Sequence, residues 1–333
     1  MAPSIEVVIV TYNRAEFFEQ ALRSVCNQTY SDLTVKVLNN GSTDNTEEVF
    51  NNVKTEYPQR KFGYLKLREN HIDDYFVDRK NEFITADYVI VFHDDDLMHP
   101  RYIEYLMKII NQHHEVVLLG GKTKFSHHPE SLEWAAPTGE YIIGNTRDFV
   151  YWYNRGDTFP FPGICFRSEY YKSEKFDVES YYNRADVPFV IDVSQHGMVC
   201  ELQDRFIHYR MHDGNDYHKL PTIEQRINLY NKFAEILLSG NEEHRKTFYN
   251  RIYDDCVNTG FIDYKTIREQ NWLPKYYWTK TPQYLYFKYI FYKILVYVNY
   301  KMKKINLCKL NKKFVKSLID HKKRYRMINL IKL

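Results

Sequence analysis

The first 120 residues alternate short β-rich hydrophobic runs with stretches of helical period, the pattern that a sheet with crossover helices imposes. Val7-Val8-Ile9-Val10 predicts a buried strand, and behind it Phe18, Ala21, Leu22 and Val25 fall at i, i+3, i+4 and i+7 of a helix. Val35-Lys36-Val37-Leu38 predicts the second strand. It ends at Asn39-Asn40-Gly41, a turn signal, after which Ser42, Thr43 and Asp44 can cap a helix carrying Val49 and Val53. Tyr64-Leu65-Lys66-Leu67 is a third, weaker strand pattern and Tyr88-Val89-Ile90-Val91-Phe92 a strong fourth. His93-Asp94-Asp95-Asp96 follows at once, and Pro100 opens a helix lined by Ile103, Leu106, Met107 and Ile110. Val116-Val117-Leu118-Leu119 completes the alternation.

From Phe125 to about His212 the pattern turns irregular, with the loop Phe159-Pro160-Phe161-Pro162-Gly163 and a returning strand at Phe206-Ile207-His208-Tyr209-Arg210. Long ordered loops on an α/β core usually carry function. After Pro221 the chain reads as helices, broken at Ser239-Gly240-Asn241 and Leu273-Pro274, and it contains no repeat. A length of 333 residues suits a large α/β domain plus an appendage, divided here into residues 1–217 and a helical, basic region 218–333.

With 44% hydrophobic and 27% charged residues the composition is that of a globular protein, and 30 Tyr and 21 Phe stand out within it. Such rings pack cores, stack on sugars and sit at lipid interfaces. The opening residues carry no charged segment followed by an apolar one, so a cytoplasmic chain is expected. Cys26, Cys165, Cys200, Cys256 and Cys308 are scattered and form no C-x-x-C pair, which argues against a disulfide framework or a zinc site.

The net charge of +3 conceals a split, because Asp320 is the lone acid against the many Lys and Arg of residues 271–333. The run Tyr284–Val298 is apolar and aromatic but is interrupted by Lys288 and Lys293. It is too short and too charged to span a bilayer. Two readings fit: an interfacial helix whose basic continuation, Lys301–Lys332, meets anionic lipid at the inner face of the cell membrane, or a core helix followed by a solvated cationic one. No reader motif accompanies the lysines, which sets nucleic acid aside.

Three consecutive aspartates at the end of a buried strand repel one another unless a positive group binds there. Hard oxygen ligands suit Mg²⁺ or Mn²⁺, which bridge substrate phosphates while the protein supplies one or two carboxylates. Ligands of open α/β sheets bind beyond the carboxyl ends of the strands, where Asn39-Asn40-Gly41 and Asp94-Asp95-Asp96 both lie. The alternative is an acidic, solvated helix N-terminus.

Ile9-Val10-Thr11-Tyr12-Asn13-Arg14, then Asn39-Asn40-Gly41-Ser42-Thr43-Asp44, then Phe92-His93-Asp94-Asp95-Asp96 with Pro100 resemble, in order and spacing, the family 2 inverting glycosyltransferases. The resemblance covers residues 4–120 well and continues loosely to about Tyr217. It implies the GT-A fold, a Rossmann-like mixed sheet flanked by helices, here with a C-terminal helical extension. It also implies that Thr11, Tyr12 and Arg14 line the base and diphosphate of a nucleotide-sugar donor, a UDP-sugar in the first instance. Asn40 stands where the family usually places an aspartate against the pyrimidine, which leaves the base open, since an amide accepts a hydrogen bond without charge assistance. Arg79 and Asn81 resemble the Arg-Asn pair ahead of the metal strand. Asp95 would contact ribose and Asp96 the Mn²⁺ or Mg²⁺ ion, with Asp94 flanking and His93 supporting the ligands.

An inverting transfer is a single displacement in which the acceptor hydroxyl must lose its proton, and a positioned carboxylate is the usual base. Asp186, in Arg184-Ala185-Asp186-Val187-Pro188-Phe189, stands where the family places that aspartate; its local sequence equally suits a helix N-cap. Tyr209-Arg210-Met211-His212 resembles the segment that closes the site. There His212 would ligate the metal or meet the diphosphate, unless it is structural, and Arg210 would neutralise the leaving phosphate. The Phe159–Gly163 loop, Trp134, Tyr151 and Trp152 suit either an acceptor sugar or simple packing. The expected activity is sugar transfer to a glycan or lipid-linked oligosaccharide in bacterial-type surface polysaccharide or lipopolysaccharide assembly. A non-catalytic carbohydrate- or membrane-binding module is the alternative. A nucleotidyltransferase would need glycines in Thr11-Tyr12-Asn13-Arg14-Ala15.

Overall fold

Val7, Val8 and Ile9 are wholly buried, so the strand they form is covered on both faces. In the computed structural model that strand is β1 (Ile5–Thr11), near the middle of a mixed sheet. The structure describes residues 3–70, 80–156, 159–212 and 221–255, and beyond them Thr266, Glu269, Gln270 and Trp272. The other strands are β2 (Leu33–Asn39), β3 (Lys61–Lys66), β4 (Tyr88–His93), β5 (Leu97–Met98), β6 (Val116–Ser126), β7 (Tyr141–Gly144), β8 (Cys165–Arg167) and β9 (Met198–Arg210). Their order is β3-β2-β1-β4-β8-β6-β9-β5, with β7 also on β9. β3, β2, β1 and β4 run parallel, β8 is antiparallel to β4 and β6, and β6 and β9 are parallel. Register pairs Thr11 with Asn39 and Val10 with His93, so three strands end side by side at one edge.

The helices are α1 (Ala15–Cys26), α2 (Thr46–Glu56), α3 (Lys80–Phe83), α4 (Tyr102–Gln112), α5 (Thr146–Arg155), α6 (Ser168–Ser173), α7 (Val178–Tyr181), α8 (Asp186–Ser194), α9 (Ile223–Leu237) and α10 (Glu242–Asp254). Phe18, Leu22 and Val25 of α1 and Ile103, Leu106 and Ile110 of α4 join Val7 and Ile9 in one core cluster. A second aromatic cluster gathers Phe189 of α8 with Phe161, Phe166, Tyr171 and Phe176. The charge inside the second strand pattern is neutralised: Lys36 Nζ lies 2.8 Å from Glu6 Oε2 and donates to Thr85 Oγ1 at 2.8 Å.

The hydrophobic pattern locates β1, β2, β4, α1 and α4 closely, while β3 begins three residues earlier than the pattern suggests and β6 runs on to Ser126. Asn45 caps α2 by position, but Asp44 accepts from Thr46 N at 3.1 Å, so the predicted capping segment does its work one residue away. The segment that reads as irregular holds α5 to α8 and β7 to β9. α5 begins with a capping box of Asn145 and Asp148 and ends at Gly156 with φ of 76°.

The chain divides into two compact units, Met1–Arg251 and Ile252–Leu333. The first continues past Tyr217 because α9 docks on it: Asn228 Nδ2 donates to Ser180 O at 3.1 Å, and Tyr153 and Phe233 have ring centroids 5.7 Å apart. Cys26, Cys165 and Cys200 are free and buried. Among the described residues no helix is long and apolar enough to cross a membrane, and the tail 284–333 lies outside those residues.

Candidate functional site

The loops after β1 and β2 are stitched together by short polar side chains. Asn13, with φ of 50°, accepts from Thr43 N at 2.7 Å through Oδ1, and its own N–H donates to Ser42 Oγ at 3.0 Å. Asn39 is fully buried; its Oδ1 accepts from Ser42 N at 2.7 Å and its Nδ2 donates to Tyr64 OH at 2.8 Å. Asn40 is fixed beside it, its N–H on Thr11 O at 2.9 Å and its Nδ2 on Asn70 Oδ1 at 2.8 Å. Gly41 permits this turn, with φ of 80° and the backbone of Glu69 only 2.5 Å from where a Cβ would sit. Tyr12 stays 39% exposed beside these loops.

Asp94, Asp95 and Asp96 leave β4 buried, at 4%, 5% and 0% exposure. Burial, reinforced by the charge of Asp95, raises the carboxyl of Asp94 above its ordinary range and that of Asp96 well above it. Asp96 Oδ1 accepts from Arg210 N at 2.8 Å, whereas Asp96 Oδ2 is buried without a hydrogen-bond partner. Ligand atoms of His93, Asp95 and Asp96 lie within 4.8 Å of one another and could hold a metal ion. A buried carboxylate oxygen without a donor, beside a second carboxylate and an imidazole, is a donor set that suits a divalent cation.

Two arginines and a histidine surround this cluster. Arg14 Nη1 lies 3.2 Å from Asp94 Oδ1 and 3.0 Å from Asp95 Oδ2, and His212 Nε2 lies 2.9 Å from the same Asp95 oxygen. Arg210 is 4% exposed. Its guanidinium donates to Asp95 O at 2.9 Å, to Glu130 at 2.7 Å and to Gln20 at 2.6 Å, and it covers the Phe17 ring at 4.6 Å. It clamps the aspartate turn to α1 and to the turn at Pro129–Ser131.

Asp186 is the first residue of α8, with Ala185 at the cap position and no side-chain capping bond, so the N-cap reading does not hold. Its Oδ1 is buried without a hydrogen-bond partner, and burial raises its carboxyl above the ordinary range, against the opposing pull of Arg184, the Val187 N–H and His93. Just before Asp186, Tyr182 has φ of 53°, a strained conformation for a tyrosine.

The structure thus brings Thr11, Tyr12, Arg14, Asn40, Asp94, Asp95, Asp96, Arg210 and His212 to one edge of the sheet. Arg79 and the side chain of Asn81 lie outside the described residues. Of the aromatics that suit either an acceptor sugar or packing, three make contacts within the fold. Phe159 is 3% exposed and fills the space over Gly120, while Trp134 stacks on His208 at 3.5 Å. Tyr151 hydrogen-bonds Glu243. Sequence reasoning treated His93 as a support, whereas it is part of the cluster; its two-residue spacing from Asp95 was visible, the direction of its imidazole was not. Glu130 and Gln20 gave no signal, lying 80 and 190 positions from the Arg210 they hold.

Fold and site together define an α/β protein with a buried acidic cluster at the ends of its parallel strands. The model of glycosyl transferase family 2 matches residues 6–173, and the chain belongs to that family. An uncharacterised glycosyltransferase of Haemophilus influenzae is 23% identical over 239 residues, which is 67% of this chain and 70% of the relative. Among solved structures, S. aureus TarS 1-349 in complex with UDP-GlcNAc superposes with a TM-score of 0.56 at 17% identity, covering 78% of this chain and 75% of that one. The same protein in complex with UDP gives 0.53 at 15% identity, over 76% and 71%. These likenesses establish the GT-A fold.

Proposed function

We propose that this glycosyltransferase moves a sugar, with inversion, from a nucleotide diphosphate-sugar to a glycan or glycolipid acceptor, at a site where Asp96 and Asp95, with His93 and His212 beside them, hold Mn²⁺ or Mg²⁺. The observation that carries this reading is the buried Asp96 Oδ2, without a hydrogen-bond partner beside Asp95 and His93. A UDP-sugar is the first donor to test, because the fold is shared with a protein solved in complex with UDP-GlcNAc. When bound, the cation neutralises the diphosphate as it departs.

The chain's own residues do the rest. Tyr12 and Asn40 receive the base, Asp95 the ribose, and Arg14 the diphosphate; Arg210 holds the aspartate turn rigid for them. Asp186 takes the proton from the acceptor hydroxyl as that oxygen attacks the anomeric carbon, and its raised pKa makes it a better base than an exposed aspartate. No covalent intermediate forms. The acceptor belongs to surface polysaccharide or lipopolysaccharide assembly, and the basic, aromatic residues 284–333 keep the enzyme at an anionic membrane.

A thermal-shift screen of nucleotide sugars with and without Mn²⁺ tests this, since a ligand that binds only the folded state raises Tm. Wild type is stabilised most by one sugar nucleotide together with Mn²⁺, and Asp96→Ala loses that increment. No shift with any sugar nucleotide, or an Asp96→Ala protein that responds like wild type, overturns the reading.

A further inference from the structure

One feature of the site is unexplained by a cation-binding role alone. Asp95, a residue of the His93, Asp95 and Asp96 cluster, is already approached at its Oδ2 by Arg14 Nη1 at 3.0 Å and by His212 Nε2 at 2.9 Å. The same Arg14 nitrogen reaches Asp94 Oδ1 at 3.2 Å, so one guanidinium neutralises two carboxylates that burial and mutual repulsion would otherwise set against each other. An incoming divalent cation meets this positive charge on its own ligand. Both positive groups gain from Asp95, and each raises the cost of the other.

Arg14 is partly open to solvent. Its side chain is 35% exposed, and it sits at the head of α1 without making a side-chain cap. A diphosphate offers it two charged acceptors in the fork geometry that a guanidinium fits best. A single residue therefore has two alternative partners, the acidic cluster and the donor.

We infer that Arg14 is a resident counter-ion of the aspartate cluster: it competes with the divalent cation for Asp95 and passes to the donor's diphosphate, so that cation and donor bind cooperatively. The inference rests on the cation site proposed above and adds a coupling to it. Cation alone binds weakly because Arg14 holds Asp95. Donor alone binds weakly because Arg14 is engaged elsewhere. Together each releases what the other needs, and the coupling is reciprocal by linkage.

The test measures Mn²⁺ binding to full-length protein by the electron paramagnetic resonance of free Mn²⁺, without nucleotide, and then UDP and GDP affinity with Mn²⁺ by calorimetry. Wild type, Arg14→Ala, Arg14→Lys and Asp96→Ala are compared, with circular dichroism and Tm confirming that each folds. In Arg14→Ala, Mn²⁺ alone binds about tenfold more tightly while the nucleoside diphosphate binds about tenfold more weakly, within the usual range of coupling between sites. Arg14→Lys falls between, as a point charge lacking the fork. Mn²⁺ affinity that is unchanged or weaker in Arg14→Ala, with binding still lost in Asp96→Ala, overturns the counter-ion role and leaves the cation site standing. Absence of Mn²⁺ binding in wild type, with and without nucleotide, overturns both.

Discussion

Glu104 on α4 accepts hydrogen bonds from Arg101 Nε and Thr29 Oγ1, at 2.9 and 3.1 Å, and from Lys108 at 2.7 Å. These donors, led by Arg101 and Lys108, hold its carboxyl down at about 2. A depressed carboxylate contributes stability that is present above its unfolded value and lost as pH falls through its folded one. Glu104→Gln is therefore less stable than wild type near neutral pH, and urea titrations show the gap closing as pH falls from about 4.5 towards about 2. Glu6 and Lys36 make the opposite kind of pair, at 1% and 11% side-chain exposure. Glu6→Ala leaves a buried ammonium without its carboxylate and costs about 3–5 kcal/mol in urea unfolding. At this scale the sequence revealed chemistry but not direction. Asp94, Asp95 and Asp96 were legible because three acids at a strand end demand a partner. That Asn39 would be used up in its own turn and on Tyr64 was not legible, because Tyr64 reaches it only through the pairing of β2 with β3.

Elements were legible wherever a single period dominated. The i, i+3, i+4, i+7 stripe of α1 is buried as the pattern demands, and Phe18 at its centre has no exposed surface. Phe18→Ala removes a ring from the face of the sheet that carries the β1 loop and costs about 3–5 kcal/mol, read by chemical denaturation. Between Phe125 and His212 the period failed for a physical reason. α6 and α7 are too short to show a stripe, and β8, only three residues long, is defined by its partners β4 and β6. The Phe159–Gly163 loop belongs there too: Phe159 fills the core, and Gly163, with φ of 88°, lets the chain pass within reach of Ile207. Gly41 is the turn that fixes Asn40 beside the β1 loop. Gly41→Ala places a Cβ against Glu69 at a positive φ, costs about 1–3 kcal/mol, and displaces Asn40, so Tm and nucleotide affinity fall together.

For the whole molecule, the parallel strands β1, β2 and β4 end side by side, and the loops after β1 and β2 and the acidic cluster after β4 meet there. The GT-A architecture was readable from three ordered motifs. The extension of the first unit through α9 to Arg251 was not, because the motifs fade near Tyr217 while the packing continues. The basic tail carries the membrane proposal. Replacing Lys301, Lys303 and Lys304 with Gln in the full chain lowers affinity for anionic vesicles by about a hundredfold, at roughly 1 kcal/mol per lysine, and added salt weakens wild-type binding. The central claim, sugar transfer with Asp186 as base beside the aspartate cluster, is tested most directly by Asp186→Asn. The measurement pairs donor affinity with release of nucleoside diphosphate from the stabilising sugar nucleotide in the presence of acceptor glycan. The account predicts donor affinity close to that of wild type and transfer reduced by about 10²–10⁴-fold. Transfer at the wild-type rate would contradict it.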